Sequence, residues 1–229
     1  MLKRVIAIVS SLLIIQGCSM LPTSESTAEF ETENNELIKA VELNDIHKIK
    51  KLISDGADLD TKDLRGRTPL MIATYNKETK IVKLLIQGGA DVNLQDDMEN
   101  NPFLYAAAEG YTDIVKLTIR AGADPSITDR YGGTALIPAA EHGYVDIVKE
   151  ILIHTKVDVN HVNNLGWTAL IEAIILNDGD EKQQKTVQLL IDHGANVNIP
   201  DNDNITPLQH TRNKNYKEIE QILLEAGAK

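Results

Sequence analysis

Cysteine, aromatic side chains and positive charge are all scarce in this chain. One cysteine, Cys18, among 229 residues excludes an intramolecular disulfide. Aromatic residues make up 4%, too few to line a large aromatic cavity. Lysine and arginine number 23 against 34 acidic residues, a net charge of −11. The acids are spread along the chain, and a nucleic-acid partner would need clustered cations to neutralise its phosphates, so that class is excluded. The longest apolar run falls well short of the roughly 20 residues that cross a bilayer. Six histidines, at 47, 142, 154, 161, 193 and 210, show no His-Glu-x-x-His or Cys-x-x-Cys spacing for a metal. Neither a Gly-x-Ser-x-Gly elbow, a phosphate-cradling glycine loop nor a dinucleotide fingerprint occurs. The expectation is a chain without enzymatic activity, metal or cofactor. What is present, 42% hydrophobic and 25% charged residues, is globular composition.

The N-terminal segment reads as a separate device. Lys3 and Arg4 precede an apolar run from Val5 to Ile15, broken only by Ser10 and Ser11, and Gln16-Gly17-Cys18 follows. A basic start, a short apolar stretch and a small residue form the pattern of a secretory signal. Ile15-Gln16-Gly17-Cys18 resembles a bacterial lipobox, although Gln16 is not the favoured residue at its place. The resemblance implies cleavage after residue 17 and lipidation (palmitate) of Cys18; the alternative is an ordinary signal peptide with an incidental cysteine. A second acyl chain turns marginal membrane binding into stable anchoring. Residues 18–34 carry Pro22, serines, threonines and unpaired glutamates, an acidic flexible tether with little to bury. Initiation at Met20 would yield an unlipidated cytosolic form.

The remainder is periodic. Gly66-Arg67-Thr68-Pro69-Leu70 returns as Gly132-Gly133-Thr134-Ala135-Leu136, as Gly166-Trp167-Thr168-Ala169-Leu170 and as Asn204-Ile205-Thr206-Pro207-Leu208, with a weaker copy at Glu99-Asn100-Asn101-Pro102-Phe103. Gly56-Ala57-Asp58 recurs at residues 89, 122 and 194, and Gly227-Ala228 closes on the same beat. Threonine-type positions are spaced by 33 residues, then 34 and 38. Self-similarity at this period marks a repeat architecture. The threonines stand where a side-chain oxygen caps a helix, and proline suits the first helical position. Leu70 and Ala73 begin a short amphipathic helix; a second follows through Ile81, Val82 and Leu85, until Gly89 stops it as a left-handed C-cap. Each unit is turn, helix, helix, and stacking buries the face that one unit alone cannot.

These residues resemble the ankyrin repeat over residues 35–229. The resemblance implies an all-α repeat solenoid of about six units (35–62, 63–95, 96–128, 129–162, 163–200 and 201–229) with short turn or β-hairpin tips. Several departures carry expectations. Glu99 and Asn101 should weaken the third turn, and Pro138 should disturb the first turn of its helix. His154-Thr155-Lys156-Val157 replaces a glycine stop, and Leu176–Gln184 is extra length, most simply solvated. Asp178 and Asp180 read as loop charges.

In ankyrin proteins, partners bind the turn tips and the exposed side of the first helices. By that resemblance the partner-binding residues are Leu64, Arg65, Arg67, Tyr75 and Asn76; Asp97, Met98, Asn100 and Glu109; Arg130, Tyr131, Glu141 and His142; and Asn164, Leu165, Trp167 and Ile175. Trp167 is either an interface anchor or packed on a neighbouring turn. The acids on this face favour a basic partner patch. The expected protein is monomeric when free, binds another protein, and meets the membrane through its lipid alone, facing the periplasm from the outer rather than the inner membrane. It resembles immunity lipoproteins that neutralise phospholipase effectors of type VI secretion. A scaffold or stress-protection role in the envelope is the alternative.

Overall fold

A computed structural model describes residues 36–229. The signal segment 1–17, Cys18, Met20 and the tether 18–34 lie outside the described residues. Twelve helices occur among the described residues: α1 (36–42), α2 (Ile46–Asp55), α3 (Pro69–Tyr75), α4 (Thr79–Gly88), α5 (Pro102–Ala108), α6 (Thr112–Arg120), α7 (Leu136–Glu141), α8 (Val145–His154), α9 (Ala169–Ile175), α10 (Glu181–Asp192), α11 (Pro207–Lys214) and α12 (Lys217–Glu225). They form two layers. The first helices stack in the order α3, α5, α7, α9, α11, and the second helices in the order α2, α4, α6, α8, α10, α12. A single elongated core runs between the layers from Leu37 to Ala228. The small residues Ala73, Ala106, Ala107, Ala139, Ala140 and Ala173 are fully buried and allow the first helices to approach closely. This is the ankyrin repeat fold. The tips between units are turns; no strand is present among the described residues, which corrects the hairpin alternative.

The caps show how the sequence writes the repeat. Thr68, Thr168 and Thr206 each accept a hydrogen bond from the backbone N–H three residues on. Gly56 and Gly89 end α2 and α4 in the left-handed conformation, at φ of 87° and 101°.

Four expectations need correction. Asn101 does not weaken its turn: its Oδ1 accepts the Leu104 N–H at 2.8 Å, as good a cap as threonine. The strain lies instead at Glu99, held at φ 59° where three other tips carry Gly66, Gly132 and Gly166 and the last carries Asn204, at a cost of about 1–2 kcal/mol. Thr134 does not cap α7. Pro138 lacks the N–H that would bond the Thr134 carbonyl, so Ile137 N–H takes that carbonyl at 3.0 Å. That leaves Thr134 Oγ1 buried and unpartnered, so the proline disturbance reaches the cap itself. Asp180 is more than a loop charge, since its carboxylate caps α10 through Gln183 N–H at 3.0 Å. Finally, the insertion after α9 is anchored on both sides. Asn177 Nδ2 donates to the Glu141 carbonyl, and Tyr216 O–H donates to the Asn177 carbonyl. Where glycine is missing after α8, Thr155 directs both its N–H and its hydroxyl at the Ile151 carbonyl.

Candidate functional site

Each tip is organised by one side chain that accepts two backbone N–H groups. Asp63 Oδ1 receives those of Arg65 and Arg67 at 2.8 and 2.9 Å. Asp96, Asp129, Asn163 and Asp201 repeat the pattern in the later units. Successive tips are joined, Asp97 N–H to the Arg65 carbonyl and Asn164 N–H to the Tyr131 carbonyl. Glycine is required where they meet: a Cβ on Gly66, at φ 68°, would lie 2.4 Å from Asp97 Oδ1.

The fixed loops display an apolar row. Leu64 is fully exposed, and Met98, Tyr131 and Leu165 are each about half exposed. Arg130 ties two of them together, with Nη1 on Met98 Sδ at 3.8 Å and its guanidinium 4.8 Å from the Tyr131 ring centre. Exposed apolar side chains held by rigid backbone lose little entropy on docking, the condition for a preorganised interface.

Two clefts open beside this row. The first, about 440 Å³, is lined by Arg65, Arg67, Tyr75, Asp96, Asp97 and Met98. Tyr75 O–H donates to Asp96 Oδ2 at 2.6 Å, and Asn100 Nδ2 donates to the Tyr75 oxygen at 3.3 Å. Burial, then the bond to Asp96, pushes the Tyr75 phenol up to about 12. Arg67 is spent internally, with Nε and Nη2 on Asp63 Oδ2 at 2.8 and 2.6 Å. Burial would raise the Asp63 carboxyl, but the Arg67 bonds hold it below its ordinary value. Arg67 is therefore a tip support, its guanidinium held by Asp63 and lying 3.6 Å from Glu42 Oε1.

The second cleft, about 250 Å³, lies between the fourth and fifth units and is lined by Asp129, Tyr131, Gly133, Ile137, Pro138, Glu141, Asn163, Leu165, Trp167, Glu172 and Leu176. Trp167 is half-buried in its wall. Glu172 is only 5% exposed; its Oε1 accepts from Asn163 Nδ2 at 2.8 Å. Burial, then the Glu141 charge, pushes the Glu172 carboxyl up to about 7.

Of the residues expected on the binding face, Arg65, Tyr75, Asp97 and Met98 meet at the first cleft, and Tyr131, Glu141, Leu165 and Trp167 at the second. Leu64, Asn76, Glu109, Arg130, His142 and Asn164 are exposed along the same edge without entering either cleft, and Ile175 is half-buried. Asp129, Asn163 and Glu172 escaped sequence reasoning. A signal was available: Glu172 falls at the helix position filled by Ile72, Tyr105 and Pro138 in the preceding units, a register with no other acid.

Comparison with known proteins agrees with this geometry. The ankyrin repeat domain from Acinetobacter baumannii AYE is 50% identical, with a TM-score of 0.83 covering 85% of this chain and 98% of that one. The ankyrin repeat protein EF0377 is 41% identical, with a TM-score of 0.79 over 82% of this chain and 96% of that one. The Escherichia coli (strain K12) ankyrin repeat protein YahD is 51% identical over 80 residues, 35% of this chain, and the match spans only 40% of its length. The family described as ankyrin repeats (3 copies) matches residues 6–96, 37–129 and 103–201. Ankyrin repeats are protein–protein interaction modules, generally without catalytic activity, and this chain belongs to the ankyrin repeat family.

Proposed function

We propose that the chain is a protein-binding module held at the bacterial envelope by a lipid on Cys18, facing the periplasm, and that its partner is a toxic phospholipase-type effector that it neutralises. The observation that supports protein binding is the apolar row Leu64, Met98, Tyr131 and Leu165, held on hydrogen-bonded tips beside two clefts. Aromatic and arginine side chains dominate interfaces when they become buried. Trp167 and Tyr131 have that position here. The acidic balance of the chain, −11, favours a partner with a basic face and speeds encounter. The envelope reading rests on the lipobox-like segment, and no helix among the described residues is long and apolar enough to cross a membrane.

Affinity purification from the source cell through a tag after Lys229 tests this reading. The expected result is enrichment of one toxic effector, with Trp167→Ala weakening the complex by roughly 1 kcal/mol or more. Deletion of the protein should sensitise cells to that effector, and incorporation of labelled palmitate should require Cys18. Recovery of an envelope protein with no toxicity on deletion would replace immunity by a scaffold role. An unchanged dissociation constant would remove Trp167 from the interface.

A further inference from the structure

The acid at each tip uses one oxygen for its own loop and leaves the other to be satisfied. In the second unit Arg67 fills that second place on Asp63. In the third it is Tyr75 on Asp96, and in the sixth His210 on Asp201, with Nε2 2.7 Å from Oδ2. The fifth unit substitutes Asn163, which turns its amide onto Glu172. The fourth unit alone breaks the rule. Gly133 stands where Arg67 stands, four residues after the acid; its N–H bonds Asp129 Oδ1 at 2.9 Å, and Asp129 Oδ2 receives no hydrogen bond from any of the described residues. That oxygen belongs to a carboxylate lining the second cleft, together with Glu141 and the 95%-buried Glu172, whose Oε2 likewise has no donor among the described residues. No lysine, arginine or histidine lines this cleft.

We propose that the second cleft is a receptor for one arginine side chain of a protein partner, its guanidinium meeting Asp129 and Glu172 and its stem and planar face lying against Tyr131 and Trp167. The inference rests on the protein-binding reading and names the chemistry of that partner. The chain supplies the precedent itself: backbone bonds identical to those around Gly133 surround Arg67, with N–H to Oδ1 at 2.9 Å and the return bond from the acid's N–H at 3.0 Å in one and 2.9 Å in the other. A guanidinium carries five donors in a fork that can bridge separate carboxylates, and it stacks on aromatic faces. A metal ion is the poorer fit, because among the described residues no three acidic, histidine or cysteine side chains gather closely enough to hold one. Lysine has the charge without the fork. An arriving cation also offsets the repulsion between Glu172 and Glu141.

Trp167, the single tryptophan, makes the test direct. N-acetylarginine amide, titrated into the full-length chain, should give a saturable change in tryptophan emission. The citrulline analogue, the same shape without charge, should bind at least tenfold more weakly, and Glu172→Gln should weaken arginine binding roughly fivefold. Gly133→Arg should abolish the response by supplying the missing guanidinium from within. Its φ is ordinary, and an added Cβ would come no nearer than 3.4 Å to Asp129, so an unchanged far-UV circular dichroism spectrum is expected. Equal responses to arginine and citrulline, or full binding by a folded Gly133→Arg variant, would overturn the proposal. A partner retained equally by wild type and Gly133→Arg would overturn it too, while leaving the protein-binding reading intact. Arginine binding with no protein partner recovered would instead refute the protein-binding reading.

Discussion

Glu172→Gln should stabilise the protein at pH 8 and leave it unchanged at pH 4. The carboxyl is 5% exposed and keeps one hydrogen bond, from Asn163. Burial and the neighbouring Glu141 raise it from an ordinary 4.5 to about 7, so the folded chain holds the proton more tightly than the unfolded chain. Below pH 4.5 both states are protonated and nothing is lost. As the pH rises from 4.5 towards 7, the unfolded state ionises first and stability falls. Over roughly two and a half pH units, at about 1.36 kcal/mol each, the loss reaches about 3.4 kcal/mol. Solvent entering the open cleft screens the charge and brings the expected value to about 2 kcal/mol. Glutamine keeps the shape and the acceptor for Asn163 without the charge. Urea unfolding followed by far-UV circular dichroism at pH 4, 6 and 8 measures the difference, and effects from other carboxylates cancel between the two chains. A gain independent of pH, or a variant less stable at pH 8, would refute the electrostatic account of Glu172.

Three further outcomes follow from the caps and the insertion. Thr68→Ala removes a working cap and should cost about 1 kcal/mol, whereas Thr134→Ala, whose hydroxyl has no partner, should change stability by less than about 0.5 kcal/mol; the same urea series compares them. Asn177→Ala removes the bond to the Glu141 carbonyl and should cost about 1 kcal/mol while speeding proteolysis within residues 176–180, read as the rate of nicking. Tyr216→Phe cuts the second anchor of the same loop and should accelerate that nicking without altering partner affinity.

The repeat could be read from the sequence because its signals are local. Thr68 before Pro69 and Gly89 after Gln87-Gly88 mark helix ends through hydrogen bonds that close within four residues, and such bonds depend little on the rest of the chain. The tip residues Leu64, Met98, Tyr131 and Leu165, which the resemblance to ankyrin repeats puts on the turn edge, are exposed there. Reasoning failed where one local feature disabled another, or where the partner lay a unit away. Thr134 matches Thr68, but Pro138 four residues on has no N–H for the Thr134 carbonyl, so the Ile137 N–H that would have made the cap bonds that carbonyl instead. Asn177 looked like solvated filler because its partners, Glu141 and Tyr216, are 36 and 39 residues distant.

Composition and periodicity alone determined that this chain stacks helix pairs and presents an edge of turns, since amphipathic helices too short to stand alone must bury their apolar faces against copies of themselves. Which carboxylates on that edge are already satisfied was decided only by the tertiary structure. Arg67 and Gly133 occupy the same register, yet one closes its tip and the other leaves Asp129 open beside Glu172, an acid whose burial arises only when the fourth and fifth units pack together.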